Sequence, residues 1–244
     1  RSTLAGCYAI GEAAGTHGVT RPGGAALNAG QVFGTRVAEH IASLGNVSVP
    51  VTSVDSAKQA IDQIKALLQP DSPLTPQFVR DSVQSRMSDK AGILCTPDAV
   101  SKALAEAQTL NADIQTKGIA LDRNGEIARA IQRQHMALAS EAVLTALDYY
   151  ILQGGGSRGA RAICDAAGDS LPEMACGPLE KYRFRAEKRA HKSEQILVRL
   201  IDGKMKIHTR LNRKFDETAK PFFERDWPNW LTGAIFDTDS TEPR

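Results

Sequence analysis

Three successive segments in the middle of the chain each carry the start signals and the apolar spacing of an α-helix. Two of them open with Thr followed by Pro, at positions 75–76 and 96–97. A Thr side chain caps free backbone amides, and Pro is favoured at the first helical position. Apolar side chains then recur at helical spacing in the second of these segments, at Val100, Leu104, Ala107 and Ile114. Capped amphipathic helices joined by short loops predict an antiparallel helical bundle.

Two more helices flank this pair. Asp55 or Ser56 is suited to cap a helix that Pro70 ends, and its apolar stripe is Ala57, Ile61, Ile64, Leu67 and Leu68. The longest helix is predicted from about Glu126 to Gln153 and should end at Gly154. We therefore assign residues 51–165 to a helical bundle domain.

Charge and cysteine content exclude several classes of protein. The 244 residues carry 30 basic and 28 acidic side chains, a net charge of +2 that favours no particular partner. No apolar run approaches the roughly 18 residues of a membrane span. Four cysteines lie far apart, without the close spacing of a metal site, so we expect no metal. Scattered thiols are typical of a reducing compartment, which predicts a cytoplasmic protein.

The C-terminal region, residues 166–244, differs from the helical segments in its sequence pattern. Two alternating arms surround Asp202-Gly203, which predicts a β-hairpin. Basic side chains far outnumber acidic ones between Lys181 and Lys214, so a nucleic-acid binder is one alternative. Alternating charges on a hairpin more often form a solvated face, and we expect no nucleic-acid partner. The aromatic cluster "FFERDWPNWL" is predicted to pack the tail onto the body.

The sequence "GGGSRG", residues 154–159, matches the G-x-G-x-x-G pattern of dinucleotide-binding loops. That pattern functions after a strand and at the start of a helix, within a βαβ unit. Here a long predicted helix precedes the glycines. They are therefore interpreted as a corner that ends this helix.

The N-terminal region, residues 1–50, concentrates polar groups around glycines. Glu12 follows a strand-like run, Cys7 to Ile10, and its carboxylate could accept hydrogen bonds from sugar hydroxyls. His17 and Arg21, four residues apart in a loop bounded by Gly, could hold a carboxylate by one His donor and a bidentate guanidinium. Taken alone, His17 would more often be an ordinary loop residue.

A helix is predicted from Gly24 to Leu44 directly after this loop. It begins with the small residues Gly23, Gly24, Ala25 and Ala26, which leave amides and the positive end of the helix dipole open to an anion or a carbonyl oxygen. Gly30 and Gly34, four residues apart, should let another backbone approach one face of the helix closely.

The stretch "GCYAIGEAAGTHGVTRPGGAALNAGQVFGTRVAEHI" resembles the C-terminal end of the flavin domain in the fumarate reductase/succinate dehydrogenase flavoprotein family, which includes L-aspartate oxidase. The family's Gly-Glu, His-Gly-x-x-Arg and Gly-x-Asn-Ser-Leu motifs correspond to residues 11–12, 17–21 and 23–27. The likeness continues loosely through the bundle to "SRGA" at 157–160, then through "YRFRAEK", the hairpin and the Trp-bearing tail.

The resemblance implies a mainly α chain: the end of an α/β FAD-binding domain, a helical bundle and a small C-terminal region with a hairpin. It implies FAD as cofactor, with hydride transfer between the flavin N5 and a small carboxylate. His17 and Arg21 would hold the substrate. Glu12 would bind the ribityl chain, and the helix start would face the flavin pyrimidine edge, through the residues Gly24, Ala25, Ala26 and Leu27.

The chain has neither the family's N-terminal FAD fingerprint nor its capping domain, so we expect it to be the C-terminal part of a larger enzyme. The missing N-terminal portion and an electron-transfer subunit would be its partners. Ala25-Ala26 replace the usual Asn-Ser, and Val19-Thr20 replace Ala-Asn, so a succinate or fumarate substrate does not follow. A non-catalytic helical interaction module is a further alternative.

Overall fold

The computed structural model describes residues 2, 4, 6–15, 23–45, 54–121, 127–159, 161–170, 183–188, 193–212 and 226–234. The chain forms two compact units, Arg1–Val51 with Arg213–Arg244, and Thr52–Asn212. The elements in chain order are a 3-10 helix Gly11–Ala14, α1 Gly23–Ser43, α2 Val54–Leu67, α3 Pro76–Lys90, β1 Leu94–Cys95, α4 Pro97–Lys117, α5 Ile127–Leu152, β2 Ala162–Ser170, β3 Arg183–Phe184, β4 Glu194–Ile201, β5 Lys204–Leu211 and α6 Asp226–Thr232. The chain is mainly α, as predicted.

Both predicted Thr–Pro starts are confirmed. Thr75 Oγ1 accepts from the Phe78 amide at 3.1 Å, and Pro76 is the first residue of α3. Thr96 Oγ1 accepts from the Ala99 amide at 3.3 Å at the start of α4. A capping hydroxyl of this kind is worth about 1 kcal/mol.

Helices α2 to α5 make up the bundle of the second unit, and its core has two apolar clusters. One cluster joins the end of α2 to α3, α4 and α5, with members that include Leu67, Val79, Val83, Leu110, Ile114, Ile119 and Ala137. The other lies further along α4 and α5 and continues onto the strands, with members that include Cys95, Val100, Ala103, Ala107, Leu144, Ile151 and Ile163.

Buried polar side chains on α3, α4 and α5 form hydrogen bonds with one another inside the bundle. Arg86 Nη2 donates to Ser140 Oγ at 3.2 Å, and Asn111 Nδ2 donates to Glu141 Oε2 at 2.5 Å. All four residues are buried, and burial lowers the pKa of the Arg86 guanidinium. These hydrogen bonds favour one alignment of the three helices over others, because sliding one helix along its neighbours would leave the polar groups buried without partners.

A small three-stranded sheet, which the sequence analysis did not predict, follows the bundle in the order β1-β2-β3. β1 and β2 pair in parallel, with Leu94 opposite Ala162, whereas β2 and β3 are antiparallel. β1 has only two residues, too short a run to show an alternating pattern in the sequence. The sheet extends the second apolar cluster through Cys95 and Ile163.

The predicted hairpin is confirmed. β4 and β5 pair in register from Glu194–Leu211 to Ile201–Lys204, and the turn residues Asp202 and Gly203 have φ of 50° and 72°. Two positive φ values match the type I′ turn that suits the twist of a hairpin.

In the first unit, the predicted strand-like run at Cys7–Ile10 is not part of any sheet among the described residues, although Ile10 has extended backbone angles. It leads into the 3-10 helix, and α1 follows. Within the described part of the chain, no helix has the length and hydropathy needed to cross a membrane.

Candidate functional site

The 3-10 helix and α1 meet through a close approach of their backbones. Gly11 has φ of 59°, and a Cβ atom added there would lie 3.5 Å from Gly30 Cα. Ile10 reaches Gly34, with its Cδ1 3.5 Å from the position of a Cβ on that glycine. A backbone thus approaches α1 at Gly30, as predicted, but the neighbour of Gly34 is the Ile10 side chain, and a Cβ on Gly30 itself would meet no described atom within 4 Å. Gly11 is the position that requires glycine, because its φ is positive and its side-chain direction faces α1.

Gly11 contacts α1 at Gly30, on the third turn of that helix and six residues after Gly24. Glu12 is the residue that follows this contact. The Glu12 side chain is exposed, and its carbonyl oxygen accepts from the Gly15 amide at 2.9 Å.

The start of α1 is small and open on the side that the structure describes. No acidic residue stands in its first turn, and no atom lies within 4 Å of a Cβ added at Gly24. Ala26 is partly buried, and Leu27 is 77% exposed. For Ala25 only the backbone is described. A helix start without a carboxylate keeps its positive dipole end available to an electron-rich group.

His17 and Arg21, the predicted substrate-binding pair, lie outside the described residues. Their placement therefore stays a prediction. The described flanks of that loop are the 3-10 helix ending at Ala14 and the start of α1 at Gly23.

Sequence reasoning missed an aromatic and cationic cluster on the later turns of α1. The Arg36 guanidinium carbon lies 5.7 Å from the centre of the Phe33 ring and 5.2 Å from that of Trp230 on α6. Tyr8 and His40 pack edge to face, with their ring centres 5.9 Å apart. The aromatic tail thus contacts α1, as the sequence predicted in outline, but nothing in the sequence pairs Trp230 with Arg36.

The "GGGSRG" stretch is a helix-ending corner, as interpreted from the sequence. Gly154 has φ of 80°, and its amide donates to the Ile151 carbonyl at 2.9 Å. A Cβ on Gly155 would lie 2.4 Å from the Tyr150 ring, and one on Gly156 would lie 1.7 Å from the Ala186 carbonyl oxygen. Protein atoms therefore fill the space that a bound dinucleotide phosphate would need.

Arg185 holds this corner from the neighbouring segment. Its Nη1 donates to the Ile151 carbonyl at 2.9 Å, and its Nη2 donates to Asp165 Oδ2 at 2.8 Å. This hydrogen bond is the main reason why the pKa of Asp165 lies below its ordinary value. The arrangement ties the end of α5 to β2 and is structural.

The hairpin carries its basic residues on one face. In the observed register, alternate positions of β4 and β5 place Arg199, Lys204, Lys206, His208 and Arg210 on the same side, and all five are exposed. The opposite side includes Ile196, Val198, Met205 and Ile207, which are partly buried. The solvated basic face predicted from the alternation is therefore confirmed.

Two of the described thiols, Cys95 and Cys164, do not have the character of catalytic groups. Burial raises the pKa of Cys95 on β1 and of Cys164 on β2, so both remain protonated at neutral pH. Among the described residues, no three His, Cys, Asp or Glu side chains come together as a metal site would require.

Comparison with known proteins gives one match in sequence and several in structure. No protein-family model matches the chain. It is 30% identical over 115 residues to L-aspartate oxidase of Streptomyces coelicolor, an alignment covering 46% of this chain and 19% of that protein. A chain of the Mycobacterium smegmatis Sdh1 complex in the apo form superposes with a TM-score of 0.57 at 21% identity, over 84% of this chain and 32% of that one. The FrdA chain of E. coli quinol fumarate reductase gives a TM-score of 0.49 at 18% identity, over 79% and 29%.

The resemblance to the fumarate reductase/succinate dehydrogenase flavoprotein family is confirmed. The sequence match is to an L-aspartate oxidase, and the structural match to the Sdh1 complex bears on the fold. The chain spans about a fifth of the length of the L-aspartate oxidase and about a third of the Sdh1 complex chain. Activity, substrate and partners of such a flavoprotein therefore enter here as proposals.

Proposed function

We propose that this chain forms part of an FAD-dependent oxidoreductase that transfers hydride between the flavin and a small carboxylate. The observation that carries the proposal is the start of α1, whose first turn has no acidic side chain and which is open at Gly24, on the same helix that Gly11 contacts at Gly30. The sequence match to L-aspartate oxidase supports the same reading.

The residues present fit one part of the cofactor. Gly24, Ala25 and Ala26 leave the first-turn amides of α1 accessible, so backbone N–H groups could hold the carbonyl edge of an isoalloxazine ring. The exposed carboxylate of Glu12 could accept hydrogen bonds from the hydroxyls of the ribityl chain. Because Ala25 and Ala26 bring no polar side chains, the backbone alone would provide the hydrogen bonds at this edge.

FAD, when bound, supplies a two-electron acceptor that exchanges a hydride. The residues of this chain would bind the flavin and the substrate and orient one relative to the other. The helix dipole of α1 stabilises negative charge at its N-terminal end, the charge that a reduced ring would bring there. Arg21 would hold the substrate carboxylate by two parallel hydrogen bonds and His17 by one, which would fix the reacting carbon relative to the ring.

We further propose that catalysis needs the remainder of the polypeptide. No described phosphate-binding loop exists for the adenosine half of FAD, since the only G-x-G-x-x-G match is packed with protein atoms. In this proposal residues 1–50 complete a flavin domain, residues 51–165 form its helical partner domain and residues 166–244 a C-terminal region. An electron-transfer subunit is a proposed further partner, and the cytoplasm is the proposed location.

The deciding experiment is Arg21→Ala in the full-length enzyme. Loss of a buried bidentate contact to a carboxylate typically costs about 2–5 kcal/mol, so turnover should fall by a factor on the order of 10² or more. FAD content, measured as flavin absorbance per protein, should stay normal. Arg21→Lys should restore little, because an ammonium cannot reproduce the planar fork. Near-normal kinetics of Arg21→Ala with the true substrate would show that Arg21 is structural.

Glu12→Ala should have the opposite signature and lower flavin retention before turnover per bound flavin. Glu39→Ala is the matched control, since Glu39 is an exposed carboxylate on the later turns of α1. Full-length protein that purifies colourless and takes up no FAD would instead favour the alternative of a non-catalytic helical module.

A further inference from the structure

A pocket of about 290 Å³ opens between the start of α3 and the first turns of α5. Six of the described residues line it, and none of these six is acidic: Thr75, Pro76, Gln77, Arg80, Arg129 and Arg133. Three guanidinium groups thus surround one cavity. The second unit alone provides all of them, so the pocket is independent of the proposed flavin site.

The local sequence explains why the three arginines share the cavity. Arg129 and Arg133 are four residues apart on α5 and therefore lie on one face, one turn above the other. Arg80 is on the second turn of α3, which the caps at Thr75 and Pro76 begin beside that face.

One carboxylate is near the pocket but does not line it. Asp81 Oδ1 accepts from Arg80 Nε at 3.1 Å, and Asp81 Oδ2 accepts from Gln77 Nε2 at 2.6 Å. Chiefly through the Gln77 hydrogen bond, the pKa of Asp81 lies below its usual value, so this group is ionised at neutral pH. The described residues thus place three guanidinium groups in the lining of the cavity and one carboxylate beside it.

Arg133 supplies a second, independent observation. Its Nε is buried, yet it has no hydrogen-bond partner in the described part of the chain. A buried N–H without a partner costs about 1–3 kcal/mol, and guanidinium donors are satisfied best by planar oxyanions. Arg133 also lines the cavity, so an oxyanion bound there would lie beside a guanidinium group whose Nε has no partner among the described residues.

We propose that this pocket binds the oxyanion group of a small molecule, a phosphate or a carboxylate. Arginine forks match the oxygen spacing of both groups. The volume lies at the lower end of the range for small-molecule sites, about 300–1,000 Å³, which favours a compact ligand.

The test is isothermal titration calorimetry of the 244-residue chain with inorganic phosphate, and in separate titrations with succinate, against sodium chloride at matched ionic strength. We expect saturable binding with one site per chain. Arg129→Gln and Arg133→Gln should each weaken it by about tenfold. Arg199→Gln on the hairpin is the matched control and should leave binding unchanged.

Arg129→Gln should disturb the fold less than Arg133→Gln, because the Arg129 side chain is exposed whereas that of Arg133 is partly buried. Equal thermal unfolding of the variants would show that a loss of binding is local. Saturation by phosphate alone would identify a phosphoryl ligand, saturation by succinate alone a carboxylate, and either result supports the pocket. Heats no larger than those of chloride, or wild-type affinity in both pocket variants, would overturn it. Because every reading is taken without flavin, failure here would leave the proposed function untouched.

Discussion

Helices α1 and α4 have the same length, 21 residues, and opposite surroundings. Helix α4 buries six residues, among them Val100, Ala107 and Ile114. None of the described side chains of α1 is buried, and Leu27, Phe33 and Ile41 remain 77%, 47% and 49% exposed. Helix length and apolar spacing therefore decide that a helix forms, whereas burial depends on which elements pack against it.

The difference follows from the neighbours of each helix within its own unit. α4 has α3 and α5 beside it, and their apolar stripes together exclude water. α1 is contacted by the 3-10 helix and, through Arg36, by Trp230. In the proposed full-length enzyme, the rest of the flavin domain would cover the apolar side chains of α1 that are exposed here.

The largest expected effect compares the same substitution in the two helices. Ile114→Ala should reduce the free energy of unfolding by about 2–5 kcal/mol, because Ile114 is 2% exposed and its removal leaves a cavity. Ile41→Ala should change it by no more than about 0.5 kcal/mol, because half of that side chain is already in water. Urea unfolding followed by circular dichroism measures both. Equal costs would mean that α1 is packed as tightly as α4.

Replacing glycine by alanine should change the free energy of unfolding in opposite directions at Gly156 in the second unit and at Gly30 in the first. Gly156→Ala would place its Cβ 1.7 Å from the Ala186 carbonyl oxygen, and the shift needed should cost about 1–3 kcal/mol or more. Gly30→Ala meets no atom within 4 Å and lies inside α1, where Ala is favoured over Gly by about 1 kcal/mol. Thermal unfolding should show one variant destabilised and the other stabilised. Destabilisation by Gly30→Ala would indicate a covered helix face.

The contact between Asp165 and Arg185 should make the stability of the second unit depend on pH. The folded state lowers the pKa of Asp165, so the ionised form is favoured on folding. The stability that this shift contributes is fully present at pH values above the pKa of Asp165 in the unfolded chain, about 3.9. It is lost as the pH falls through the lower pKa of the folded state. Asp165→Asn should therefore lower the melting temperature at pH 7 and lose most of its effect near pH 2. Asp62→Asn, at an exposed position on α2, is the matched control for the substitution itself.

The smallest effect concerns the arginine of the first unit. Arg36→Leu removes a cation over the Trp230 ring, which is worth about 0.5–1 kcal/mol at an exposed site. Tryptophan emission should shift to longer wavelength, and acrylamide quenching should increase. Arg199→Leu on the hairpin is the control. Unchanged emission in Arg36→Leu would show that the ring does not depend on this contact.

Much of the fold followed from local chemistry. The Thr–Pro caps, the Gly that ends α5 and the Asp-Gly turn of the hairpin each act within a few residues, and the structure confirms all of them. The three-stranded sheet was missed because β1 pairs with a strand that begins 67 residues later, at Ala162 rather than at a near neighbour. The Arg-lined pocket was missed for the same reason, since its arginines come from two helices far apart in the sequence.

In the candidate site, too, some features could be predicted from the sequence and others depended on the tertiary structure. The motif around Gly11-Glu12 and the small residues at the start of α1 were visible in the sequence, because glycine and alanine mark close approach and open helix ends. Only the tertiary structure decided that Gly11 lies against Gly30 and that Arg36 lies over Trp230. It also decided that Tyr150 and Ala186 occupy the space beside the "GGGSRG" glycines. The sequence by itself determined the bundle helices, the Thr75 and Thr96 caps and the hairpin turn, whose energies are local, whereas the predicted cap of α2 at Asp55 or Ser56 was wrong, because α2 begins at Val54 and contains both residues. Contacts between distant residues were decided by packing, because they depend on the simultaneous placement of several elements.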